Sequence, residues 1–412
     1  MVTFAMAIRR ALVLVAGLSS TSCGMVYDFN DYQGLPGAGS GGGGVGGSGG
    51  SSGPGTGGSG VGGSGGSGGS GGMVSCNGID FTQDPQHCGA CGVACDGGAC
   101  NNGVCTPVEA NLTKDGRMVA TLGDRVFVVR SDMMSAELVL YPVNYTSTDS
   151  PLNTTPVCDG NGFLSAGVSR VYYRPQNAGD ACDTTYEYVH SCDTAFSCAL
   201  TKYTVPNHIN GVVAVGSDFY YMQLEGTMHK DTLSPEGVPA ETNPTPVVVE
   251  GMVEVKGGTY LLSYDLKRDA LWWTTFEGCV YKALRTDLPI SLLGCSGHEV
   301  PSVQRLIISP NDKFYVGSTQ GGIYAMDPEA VVPAPVPAFG PPGLRLLAAD
   351  GDYVYAYDPA SPAALVALRH GSAVERARLP MTFEVINADA QHSKYVFFVA
   401  GTSLYRWRKP AP

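Results

Sequence analysis

Thirteen cysteines and seven histidines are the side chains of this 412-residue sequence with the most reactive chemistry to offer. Six cysteines, Cys76, Cys88, Cys91, Cys95, Cys100 and Cys105, are crowded together, and six more, Cys158, Cys182, Cys192, Cys198, Cys279 and Cys295, are spread further along; Cys23 is left over. The spacing Cys88-Gly89-Ala90-Cys91 is that of a thiolate zinc site or a redox pair. The close succession of Cys91, Cys95, Cys100 and Cys105 argues against zinc, and no βαβ pattern surrounds the pair to support a redox role. Between Cys76 and Cys105 the large aliphatic or aromatic side chains are Ile79, Phe81, Val93 and Val104. So small a core cannot hold a fold alone, and three disulfides, each contributing about 2 to 4 kcal/mol, are expected there with their connectivity open.

The histidines, at 87, 190, 208, 229, 298, 370 and 392, share no metal-ligand spacing, and neither His-Glu-x-x-His nor Gly-x-Ser-x-Gly occurs. Asp350 and Asp352 fit a β-turn better than a calcium loop. No catalytic, cofactor-binding or metal-binding residue is therefore assigned, and no cofactor is expected; carboxylates converging from distant loops keep an enzyme open as the alternative. A formal charge of −12 without Lys/Arg clusters argues against nucleic acid and anionic lipid as partners. With 15% charged residues, 21 Tyr and 13 Phe, the composition favours strands over helices.

The elements that must carry these side chains begin with an address. Arg9 and Arg10 precede an apolar run from Ala11 to Leu18, too short to span a bilayer, and small residues lead to Cys23: a signal peptide over residues 1–23, starting at Met1 or Met6. Ser20-Thr21-Ser22-Cys23 resembles the lipobox of bacterial lipoproteins, with Ser20 in place of the usual branched aliphatic. The resemblance implies acylation of Cys23 and a lipid anchor as the sole membrane attachment; ordinary signal cleavage is the alternative. Setting Cys23 aside leaves twelve cysteines in two even groups, which favours a separate fate for it. Gly24 resembles the outer-membrane sorting pattern, so the outer membrane or cell surface is expected, with a periplasmic or secreted protein as the alternative. Residues 24–75 read as a disordered Gly/Ser tether with a reach of roughly 40 Å. The sequons at Asn111, Asn144 and Asn153 matter only in a eukaryotic secretory pathway, against which the lipobox argues.

Residues 76–106 form the cysteine-rich module. The run from Asp84 to Cys95, with Gly97, Gly98, Cys100, Gly103 and Cys105, resembles the stigma-specific cysteine-rich module. That resemblance implies an extracytoplasmic interaction or spacer unit without known chemistry.

Residues 107–412 carry a repeat. Apolar residues at Val126, Val171, Phe219, Leu271, Phe314, Val354 and Val396 are each followed by an aromatic: Phe127, Tyr172, Tyr220, Trp272, Tyr315, Tyr355 and Phe397. The mean spacing of about 45 residues suits seven four-stranded blades, and turn signals such as Asp350-Gly351-Asp352 precede most triplets. The fold class expected is all-β, and the domain resembles bacterial seven-bladed β-propellers; a two-sheet sandwich is the structural alternative. The last repeat has room for three strands ending near Arg408, so its fourth should come from Val108 to Leu112. The aromatic residues are expected to be core packing. On this strand assignment the later cysteines should pair 158 with 182, 192 with 198 and 279 with 295. The function expected is a surface-tethered binding or scaffold protein with a protein or glycan partner; an extracytoplasmic hydrolase or lyase with residues in the central funnel is the alternative.

Overall fold

The triplets become the second strands of seven blades in the computed structural model, which describes residues between 76 and 411 apart from several internal stretches, the longest being 174–186, 248–258 and 286–302. Six four-stranded antiparallel sheets and one of three strands follow one another along the chain, besides a two-stranded sheet in the module. The second strands are Arg125–Ser131, Arg170–Tyr173, Asp218–Gln223, Ala270–Thr275, Lys313–Ser318, Tyr353–Asp358 and Tyr395–Ala400. In the blade with three described strands, the third is Val280–Leu284 and Cys279 and Cys295 lie outside the described residues.

Why the triplet recurs is visible in the packing. A blade in a ring is covered on both faces, so its second strand buries both its odd and its even side chains. The central aromatic of every triplet faces the following blade, and its neighbours face the preceding one. Phe127 packs with Leu164, Val171 and Tyr173 of blade two, while Val126 and Val128 pack with Phe397 and Val399 of blade seven. The pattern repeats at Tyr172 against Phe219, ring centroids 5.2 Å apart, and at Trp272 against Phe314, 4.6 Å apart. Seven apolar clusters fill the seven seams between neighbouring blades. The cluster between blades seven and one closes the ring and excludes the sandwich alternative.

Closure comes from strand Val108–Asn111, which pairs antiparallel with the third strand of the last blade, Ser403–Arg408, with Leu404 opposite Ala110 and Arg406 opposite Val108. The last blade thus takes its outermost strand from before the first. Asn387 and Asp389, buried in the first strand of blade seven, accept from the backbone N–H groups of Val119 and Thr121 in blade one.

The first strands face the axis, and all but that of blade two (Leu164–Ala166) carry a register shift near their start. Such bulges bend and twist a strand where pairing is interrupted. At the other end of the strands, acids close the turn into the second strand: the Asp350 carboxylate accepts from the N–H groups of Asp352 and Tyr353 at 2.8 and 2.7 Å and from the Tyr355 hydroxyl at 2.8 Å. Ion pairs bridge neighbouring blades at the surface, as where Arg268 and Lys267 both bind Asp312.

Candidate binding cleft between the cysteine-rich module and the propeller

The module is fastened by Cys76–Cys91, Cys88–Cys100 and Cys95–Cys105. Four of these sulfurs, from Cys88, Cys95, Cys100 and Cys105, form its buried centre. Gly89 and Gly103 pass so close that a Cβ on Gly89 would lie 2.5 Å from the Gly103 carbonyl oxygen, and both adopt positive φ, so glycine is required there. Cys76, His87 and Cys91 converge as three metal ligands would. Both sulfurs, however, are spent in a disulfide, and His87 Nδ1 accepts from the Gly92 N–H at 2.9 Å.

The module is seated on blade seven. Trp407, fully buried, donates from Nε1 to the Cys105 carbonyl at 2.9 Å; Arg406 Nη2 donates to the Asp96 carbonyl at 2.7 Å; and the Tyr395 hydroxyl donates to the Asp96 carboxylate at 2.6 Å. Val104 packs onto the apolar seam between blades six and seven.

Beside this seat lies a cleft of about 410 Å³. One wall is the module, with Phe81, Val93 and Val104 as its apolar lining; the other is the C-terminal stretch Arg408 to Ala411 and the outer strand of blade six, Glu375–Pro380. That stretch is held in place by the Tyr353 hydroxyl, which donates to the Ala411 carbonyl at 2.5 Å, and by the Lys409 N–H, which donates to the Lys394 carbonyl at 3.0 Å. Three cations border the cleft, Arg376, Arg408 and Lys409, and no acid is among its described lining residues. Lys409 is partly neutralised by Asp350 at 2.8 Å. Arg408 has its Nη1 3.9 Å from the Asp96 carboxylate and its guanidinium 5.8 Å from the centre of the Tyr395 ring, and its Nε and Nη1 are buried without a hydrogen bond. Arg376 is exposed. On a protein of formal charge −12 this is a local positive site with an apolar floor, suited to a carboxylate beside an apolar group. The described lining holds no histidine, carboxylate or free thiol to act as base or nucleophile.

At the axis, Arg305 of blade five donates to the carbonyl oxygens of Leu347 in blade six and Ile386 in blade seven. Between these strands remains a cavity of about 20 Å³, where Glu384 pairs with Arg345 at 2.5 Å. A facing pair of carboxylates, as a glycosidase needs, is not present in the lining of this cavity. Elsewhere Ser309, His370 and Tyr315 meet, an arrangement that sequence spacing did not show. The Ser309 hydroxyl donates to the Asp350 carbonyl, to which His370 Nε2 also donates at 2.8 Å; Nδ1 then accepts from the Tyr315 hydroxyl at 2.5 Å. The hydroxyl proton and the imidazole lone pair are both committed, which makes the trio a structural pin between blades five and six.

Of the cysteine pairs expected in the propeller, the described residues contain Cys192–Cys198, joined across a turn between two strands of blade two; Cys158, Cys182, Cys279 and Cys295 lie outside them, as does Cys23. The cleft is not legible as a basic cluster in the sequence. Its signal was the run Arg406-Trp407-Arg408-Lys409, three cations in four residues next to the C-terminal end.

No protein-family model and no curated protein matches this sequence. Among solved structures the chain is similar in fold to a propeller described as "YCF48 bound to D1 peptide", with a TM-score of 0.52 and 12% identity, covering 74% of this chain and 97% of that one. At that identity the likeness shows the fold: this chain is a seven-bladed β-propeller preceded by a disulfide-rich region.

Proposed function

We propose that this protein is a surface-tethered, extracytoplasmic lipoprotein, anchored through Cys23, whose propeller and cysteine-rich module together bind a peptide segment of a protein partner. The observation that carries the reading is the cleft, with its three bordering cations, apolar module wall and no histidine, carboxylate or free thiol among the described lining residues. A protein partner is favoured over a glycan because the similar propeller was solved with a peptide bound. The outer membrane or cell surface is the location that the lipobox-like segment and Gly24 support.

Peptide-display selection on the full chain tests the binding. Acidic peptides with an apolar or aromatic anchor should be enriched, and Arg376→Glu, at an exposed position, should weaken them about tenfold without changing the melting temperature. Selected peptides indifferent to Arg376 would overturn the assignment of the cleft. Mass spectrometry of the mature N-terminus should find an acylated Cys23; an unmodified N-terminus downstream of it would remove the anchor.

A further inference from the structure

The tether contains one segment unlike the rest. Between Cys23 and Cys76, every charged and aromatic side chain falls in Tyr27-Asp28-Phe29-Asn30-Asp31-Tyr32, and residues 37–75 contain neither type. Three aromatic rings interleaved with two carboxylates complement Arg376 and Arg408 beside an apolar wall. Charge is matched by location, because Cys76, where the described chain begins, is bonded to Cys91, the neighbour of Ala90 in the cleft wall. The tether therefore starts at the edge of the cleft. With a Gly/Ser composition, the roughly 40 residues between Tyr32 and Cys76 would as a coil span about 35 Å root-mean-square, enough to return the segment to the site at an effective concentration in the millimolar range.

We infer that Tyr27 to Tyr32 is the built-in occupant of this cleft, with Asp28 and Asp31 facing Arg376 and Arg408 and the rings covering Phe81, Val93 and Val104. This rests on the reading of the cleft as a peptide site and adds regulation to it: an external partner must displace the chain's own segment.

The test uses the full chain with Phe29 replaced by p-benzoylphenylalanine. Irradiation should give intramolecular cross-links to residues 81–104 or 408–411, and either Asp28→Asn with Asp31→Asn or Arg376→Glu should lower their yield at least fivefold. In the same full chain, the double Asp→Asn variant should bind an external acidic peptide about threefold or more tightly, because the competitor is lost. Cross-links that scatter over the propeller, that join two chains, or that ignore these charge changes would overturn the inference. If the external peptide binds both forms equally and still depends on Arg376, the built-in occupant is refuted while the cleft remains a peptide site. If no peptide binding depends on Arg376, the site itself is refuted.

Discussion

Trp407 shows how much of the molecule can rest on one side chain. Its ring is fully buried against Tyr355 in the seam between blades six and seven, and its Nε1–H holds the Cys105 carbonyl of the module. Trp407→Phe keeps an aromatic ring but leaves that carbonyl without its donor and a gap beside it, at an expected cost of about 2 kcal/mol, checked by chemical denaturation. Two histidines set the acid limit. Burial pushes His190 and His392 each down to about 4, and Lys409 and Lys394 add to the effect at His392. An unfolded histidine takes up its proton near 6.5, so the stability they contribute is complete above that pH and is lost as the pH falls toward 4. Partial solvent access reduces the contribution to about 1 to 2 kcal/mol for each. Denaturation midpoints should fall between pH 7 and 5, and His392→Gln should flatten the slope. At lower pH, Asp312, which hydrogen bonds from Arg268 hold at about 2, keeps its inter-blade pairs until the pH approaches that value.

At the scale of strands, legibility followed from burial. A second strand covered on both faces needs a bulky side chain at the same place in every blade, and that requirement printed the seven triplets into the sequence. The closing strand was legible for a related reason: the last repeat was one strand short, and Val108 to Leu112 was the segment left over. Ala110 is wholly buried opposite Leu404 in this strand. Ala110→Lys should place an unpaired charge in the last seam, lower the melting temperature by ten degrees or more, and open residues 106–113 to protease. The cleft could not be read this way. It joins residues around 81–105 to 376 and 408–411, distant in sequence, and cations and small residues at its border recur at no fixed spacing. The module's disulfide connectivity was equally hidden, since six cysteines at similar intervals admit many pairings.

At the scale of the whole molecule, module and propeller depend on different interactions. The propeller is held by seven apolar seams; the module has four sulfurs at its centre and a few hydrogen bonds to blade seven. Replacing Cys88 and Cys100 together by serine should abolish binding of acidic peptides in the cleft and leave the melting temperature of the propeller within a few degrees. A single cooperative transition shifted well down would show instead that the module supports the ring.

The strand that completes blade seven precedes blade one, while its pairing partner begins only at Ser403. Nearly the whole propeller lies between these two partners in the chain, so their pairing waits on every blade between them. Until Ser403–Arg408 is in place Val108–Asn111 is a bare edge, and the cysteine-rich module directly before it lacks the seat that Arg406 and Trp407 provide. A chain cut short anywhere upstream of Ser403 therefore lacks both the clasp and the Arg408 to Ala411 part of the cleft's far wall.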